Sequence, residues 1–173
     1  MWAVQLNVLG PLELRTSPGE GEPLIAVSLG PPKQRAVLAL LAMHADRVVP
    51  ADTIVDALWA DAPTANPLGN LQVYVSHLRR LLEPQRAGRP PAVLVSAADG
   101  YGLMTGEVAL DVREMEARLQ QARELMARGA ARDAARTYDD VLALWRGDTY
   151  ADVRTQHWAQ PEITRVEELR LTA

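Results

Sequence analysis

Asn70-Leu-Gln-Val-Tyr-Val-Ser-His-Leu-Arg-Arg-Leu-Leu82 has the hydrophobic spacing of one amphipathic helix. Leu71, Val75, Leu78 and Leu82 recur at i, i+4, i+7 and i+11, a single face at 3.6 residues per turn. The opposite face carries Val73, Ser76, His77 and Arg80, with Gln72 and Arg79 at its edge. The apolar stripe predicts docking onto a core. The outer face offers hydrogen-bond donors, two guanidinium groups and one small apolar contact. A helix lying in a DNA major groove uses those groups: Arg for guanine edges or phosphates, Gln or Asn for adenine, an aliphatic group for a thymine methyl. A solvated helix of an unrelated bundle fits the same pattern, because Arg-rich outer faces are ordinary.

The surrounding segments set that helix in a mixed fold. Residues 3–9 and 11–15 read as short strands broken at Gly10-Pro11, and Leu24–Leu29 as a third. A Pro/Gly/Glu loop lies between, at 17–23. Pro31-Pro32 opens a helix over Lys33–Met43, proline being tolerated in a first helical turn. Val48-Val49 is extended, Ala51–Trp59 is a second helix, and Asp61–Pro67 is a loop. After the helix over 70–82 comes a loop over 84–91. Val93–Val95 and Tyr101–Met104 then flank the turn signal Asp99-Gly100. Strands, three helices and a hairpin in that order predict a winged helix-turn-helix with an N-terminal antiparallel sheet.

From Asp111 the periodicity is helical throughout. Met115, Leu119, Ala122 and Met126 mark one apolar face, closed by Gly129. Ala134, Tyr138, Val141, Leu142 and Trp145 mark a second, closed by Gly147, and Ile163, Val166, Leu169 and Leu171 a third. Two helices with a short Gly-containing link predict an all-α, helical-repeat (TPR-like) domain. The domains are therefore expected at 1–108 and 109–173. The last apolar face has nothing after it to cover it, so the second domain is expected to be truncated at 173.

Composition narrows the functional classes. With 173 residues, 48% hydrophobic and 23% charged, the chain has the make-up of packed domains and not of disorder. It has no cysteine, hence no disulfide framework, thiol chemistry or Cys-based zinc site. His44, His77 and His157 lie far apart and outside metal motifs. No cofactor is expected. No apolar run approaches the ~18 residues of a membrane span, and Met1–Leu6 lacks a basic leader, so a cytoplasmic, nucleoid-associated location is expected. There is no Gly-rich phosphate loop, and no Ser-His-Asp set can be nominated. Asp139 and Asp140 are neighbours that do not share a helix face, while Asp111, Glu114 and Glu116 open a helix, where the dipole favours acids. An enzyme is not expected.

Charge argues against an indiscriminate DNA binder. The net charge is −4, and residues 1–110 and 111–173 each carry −2. Within that, residues 77–90 hold His77, Arg79, Arg80, Arg86 and Arg89 against Glu83 alone. So small a patch neutralises few phosphates and predicts weak non-specific binding.

Lys33 and Arg35 sit in the first turn of their helix, where cations oppose the dipole. A phosphate ligand accounts for them; so does simple exposure of Gln34 and Arg35. Trp59 follows Ile54, Val55 and Leu58 at helical spacing and reads as core. Tyr74, at the margin of the stripe, fits a core edge or a phosphate contact equally. Arg80 fits a phosphate contact or a solvated charge beside Glu83. Val73 is aliphatic on the outer face, where solvation gains nothing and a thymine methyl would.

In ordered series, Val8–Leu12, Gly30–Ala36 with Leu38–Leu41, Asp56–Trp59, Asn70–Leu82, Gly100–Leu103 and Leu144–Gly147 resemble the Streptomyces antibiotic regulatory protein family. The first half is similar to that family's OmpR-type winged helix, the second to the start of its bacterial transcriptional activator domain. The resemblance implies a transcriptional activator of a specialised-metabolite (antibiotic) gene cluster. It implies tandem protomers on direct repeats of double-stranded DNA, in contact with RNA polymerase holoenzyme. Helix geometry and the resemblance together predict base contacts from Val73, His77 and Arg79. Phosphate contacts are predicted from Lys33, Arg35, Asn70, Tyr74, Ser76 and Arg80. At His77 the family usually has Arg; imidazole is shorter and mostly neutral at pH 7, which points to a different target sequence or affinity. The competing reading is a protein-interaction scaffold of a winged helix and helical repeats that does not touch DNA.

Overall fold

The computed structural model describes residues 3–17, 19, 21–84, 88–97 and 99–173. Arg86 of the expected basic patch and Ala98 of the expected hairpin turn lie outside the described residues. The chain divides into two compact units. One holds the residues through Gln5 together with Glu13–Val108; the other holds Leu6–Leu12 and Ala109–Ala173.

The N-terminal strands are β1 (Val4–Asn7), β2 (Glu13–Thr16) and β3 (Ile25–Val27). With β7 (Val108–Leu110) they make a sheet of order β3-β2-β1-β7. β2 and β3 are antiparallel, Leu14 opposite Val27 and Thr16 opposite Ile25. Strand alternation buries Leu14 and Thr16 and leaves Glu13 and Arg15 half-exposed.

Three helices follow: α1 (Pro32–Met43), α2 (Ala51–Trp59) and α3 (Pro67–Leu82). They pack on one another. The stripe read from the sequence is the buried face of α3: Leu71, Val75, Leu78 and Leu82 are at most 1% exposed. Burying each contributes roughly 2 kcal/mol. α3 begins three residues before Asn70, the start its periodicity gave. Asn66 accepts a hydrogen bond from the Gly69 amide at 2.9 Å, and Pro67 occupies the first turn, where its missing N–H costs nothing.

The wing has three strands, one more than the expected hairpin. β5 (Leu94–Ala97) and β6 (Gly100–Leu103) form the hairpin, and β4 (Val48–Pro50) pairs antiparallel with β6 on its other side. The extended Val48-Val49 is therefore a sheet edge. Gly100 permits the close approach: a Cβ there would stand 2.1 Å from the Val49 carbonyl oxygen.

The second unit holds α4 (Asp111–Ala127), α5 (Ala131–Leu142) and α6 (Gln160–Leu171), and no residue from 111 to 173 is in a strand. Gly129, at φ 78°, turns the chain between α4 and α5. α5 stops at Leu142, short of Trp145. The Trp145 indole donates to Thr149 and lies under the Arg170 guanidinium of α6, 5.2 Å from the ring centre. Asp111, at the first position of α4, is buried. Its carboxylate accepts from the Val8 amide at 2.8 and 2.9 Å and from the Leu9 amide at 3.0 Å. Arg146 approaches it to 4.0 Å. Burial raises its carboxyl above the ordinary value, against the opposing pull of the Leu9 and Val8 amides and of Arg146.

Candidate nucleic-acid interface

With the apolar stripe of α3 committed to the core, helix geometry turns Gln72, Val73, Ser76, His77 and Arg80 outward together, and all five are exposed. Val73 is 50% exposed, a branched aliphatic group standing in water. The face combines amide, methyl, hydroxyl, imidazole and guanidinium groups on about two turns of helix, the width a major groove admits. Glu83, the acid of the basic patch, points away. It is buried, accepting from the Ala92 amide at 2.8 Å and from the Leu94 amide at 3.5 Å.

Arg79 is placed differently from the sequence expectation. Its Nε donates to the Leu94 carbonyl and its Nη2 to the Ser96 hydroxyl, both at 2.7 Å. The guanidinium fork thus fastens α3 to strand β5 of the wing. Two of the five guanidinium N–H donors are thus held inside the protein, which sets Arg79 apart from the residues of the outer face. Arg79→Ala is expected to leave the buried Leu94 carbonyl short of a donor and to lower stability by about 1–3 kcal/mol in denaturant unfolding. Arg79→Lys should not restore it, because one ammonium cannot reproduce a planar fork reaching two acceptors.

The expected phosphate contacts divide. Ser76 and Arg80 lie on the outer face. Tyr74 is half-buried and stacks on Trp59, centroids 6.3 Å apart and rings 5° from parallel. Trp59 is 8% exposed, as a core residue should be. The Lys33 ammonium lies 5.8 Å from the centre of the same indole and donates to the Leu58 carbonyl. A cation at the start of α1 is accounted for by α2, whose C-terminal carbonyls attract it. Arg35 donates to the Gly30 carbonyl at 2.7 Å, and Asn70 to the Thr64 hydroxyl at 3.2 Å. Val73, Ser76, His77 and Arg80 therefore come together, while Lys33, Arg35, Asn70, Tyr74 and Arg79 each hold a neighbour within the protein.

Sequence reasoning missed Gln34. Exposure is one of the two readings its neighbourhood leaves open, but it is 3% exposed, and it donates from Nε2 to the Leu29 carbonyl at 2.8 Å. Its Oε1 lies 3.3 Å from His77 Nδ1. Ser28, Gly30, Gln34, His77 and Arg80 line a shallow pocket of about 270 Å³ beside the outer face. Among the described residues no cluster of His, Asp or Glu is placed to hold a metal ion. Among the described residues no helix is long and apolar enough to cross a membrane.

Residues 26–103 match the family model described as "Transcriptional regulatory protein, C terminal", and residues 110–173 the model "Bacterial transcriptional activator domain". Transcriptional regulatory protein MoaR1 of Mycobacterium tuberculosis is 37% identical over 159 residues, 91% of this chain and 49% of that protein. Regulatory protein DnrI of Streptomyces peucetius is 32% identical over 172 residues, 97% of this chain and 61% of that protein. Among solved structures, Mycobacterium tuberculosis EmbR in complex with a low-affinity phosphopeptide superposes with a TM-score of 0.84 at 30% identity. That match covers 99% of this chain and 44% of EmbR. The chain thus spans about half the length of these relatives.

Proposed function

The chain joins a transcriptional regulatory C-terminal domain to a bacterial transcriptional activator domain and belongs to the Streptomyces antibiotic regulatory protein family, and on that premise we propose that it is a sequence-specific DNA-binding transcriptional activator. One observation carries the reading. The outer face of α3 presents Val73, Ser76, His77 and Arg80 side by side, with an aliphatic group exposed where folding gains nothing from it. Val73 and His77 face base edges in this reading, and Ser76 and Arg80 serve phosphates. Arg79 holds the wing against α3. Lys33, Asn70, Tyr74 and Arg35 shape the surface around the helix. The first domain ends near residue 108, and α4 and α5 begin a helical-repeat domain.

The family resemblance extends the reading to direct repeats, tandem protomers, contact with RNA polymerase, and the promoters of an antibiotic gene cluster. A face with so few cations, on a protein of charge −4, binds one half-site weakly. Two protomers side by side raise apparent affinity through effective concentration, with no new base contact. Gel shifts should therefore show cooperative binding to a direct repeat. A spacer of about five base pairs, half a helical turn, should lower affinity at least roughly tenfold by turning the second half-site to the far side of the duplex. Unchanged affinity after that insertion would rule out the tandem arrangement.

The acidic charge favours a second reading, a scaffold that binds protein and not DNA. Gel shifts at two salt concentrations, with a direct-repeat duplex and a scrambled one, separate the two. A specific shift weakened by salt supports the activator, and no shift at either concentration supports the scaffold.

A further inference from the structure

A buried polar side chain has to satisfy its donors and acceptors inside the protein, and Gln34 does so directly behind the α3 face. Its Nε2 donates to the Leu29 carbonyl at 2.8 Å. A carbonyl oxygen only accepts, so the amide cannot be turned over, and Oε1 must be the atom facing His77 Nδ1 at 3.3 Å. Gly30 fits closely against this amide: its φ is 78°, and a Cβ there would stand 3.0 Å from Gln34 Nε2. An amide oxygen also only accepts, so Nδ1 has to carry the proton. In a neutral imidazole the other nitrogen, Nε2, then keeps a lone pair and no hydrogen.

From this geometry we infer that Gln34 holds His77 in the Nδ1–H tautomer, so that residue 77 offers an acceptor to the duplex and selects a base pair by an exocyclic amino group, adenine N6 or cytosine N4. Arginine at the same place would only donate, favouring guanine N7 and O6. A histidine held in this tautomer thus has the opposite hydrogen-bonding sense to an arginine, and a shorter reach. Gln34 is a positioning residue acting through His77. The inference rests on the DNA reading of α3.

Two measurements test it. The tautomer is read from long-range proton–nitrogen NMR of the labelled chain at about pH 8, where imidazole is ordinarily neutral. Nδ1–H is expected in the wild type. Gln34→Met should revert it to Nε2–H, the form histidine favours in water. Nε2–H in the wild type overturns the inference, and that spectrum decides alone even if Gln34→Met fails to fold.

The base contact is read on a duplex selected from a randomised library, at the base pair whose preference disappears in His77→Ala. Removing that pair's major-groove amino group (purine for adenine, or 2-pyrimidinone for cytosine) should weaken wild-type binding roughly fivefold and leave His77→Ala unaffected. A 7-deazapurine, which removes an acceptor, should have no effect on the wild type. The reverse pattern in the wild type overturns the inference. A library that enriches no sequence overturns the DNA reading, and with it the base-contact half, while the spectrum still decides the tautomer.

Discussion

Asp111→Ala is expected to lower the stability of the second unit by about 2–4 kcal/mol, among the largest losses any single side-chain truncation here should give. The Val8 and Leu9 amides, both in residues with no exposed surface, donate to its carboxylate at 2.8–3.0 Å. Alanine leaves both donors buried without an acceptor. It also removes an acid from the positive end of α4. For a unit of this size the loss corresponds to a fall in melting temperature of roughly 10–25 °C by circular dichroism. Asp111→Asn keeps one oxygen acceptor and should lose less.

Comparison with the asparagine variant also gives a sign with pH. The folded carboxyl binds its proton more tightly than the unfolded one, because burial opposes its charge. The contribution of Asp111 is therefore fully present below the ordinary aspartate range and declines as pH rises through the raised folded value. The advantage of the wild type over Asp111→Asn should be greatest in acid and shrink on the alkaline side of that range. An advantage that grows with pH would mean that the amides and Arg146 outweigh desolvation.

Asp111 also marks where the sequence stops being informative. At the start of a helix an acid needs no further explanation, and nothing in residues 105–117 points to amides more than a hundred positions away. The same holds across the candidate interface. The stripe Leu71, Val75, Leu78 and Leu82 was legible because periodicity is a local property, and so were the residues it turns outward. The partners of the polar residues were not legible. By position Lys33 belongs to the start of its own helix, yet it serves the end of α2, 25 residues on. Arg79 answers to Leu94 and Ser96, on a strand that folds back across it. The burial of Gln34 is not legible either, because helical periodicity cannot show an amide satisfied from Leu29 and His77. Pro67 reads as loop in the sequence, because Asn-Pro marks a turn as readily as a capped helix start. Val48-Val49 reads as extended, but its pairing with β6 is not legible, because a three-residue edge carries almost no pattern of its own.

We propose that the outer face of α3 is the surface that meets DNA. Val73→Glu tests it with little disturbance to the fold. Val73 is half exposed, so its replacement should change stability by no more than about 0.5 kcal/mol. On the duplex the same change replaces an apolar contact with an anion, desolvated against base edges and repelled by phosphates on both sides. That should cost about 3 kcal/mol or more, at least a hundredfold in affinity. The measurement is a fluorescence anisotropy titration of a selected direct-repeat duplex with wild type and Val73→Glu, each checked by thermal melting. Near-equal melting temperatures with affinity lost by a hundredfold or more are predicted. Wild-type affinity and sequence preference in a folded Val73→Glu protein would mean that DNA is bound somewhere other than α3.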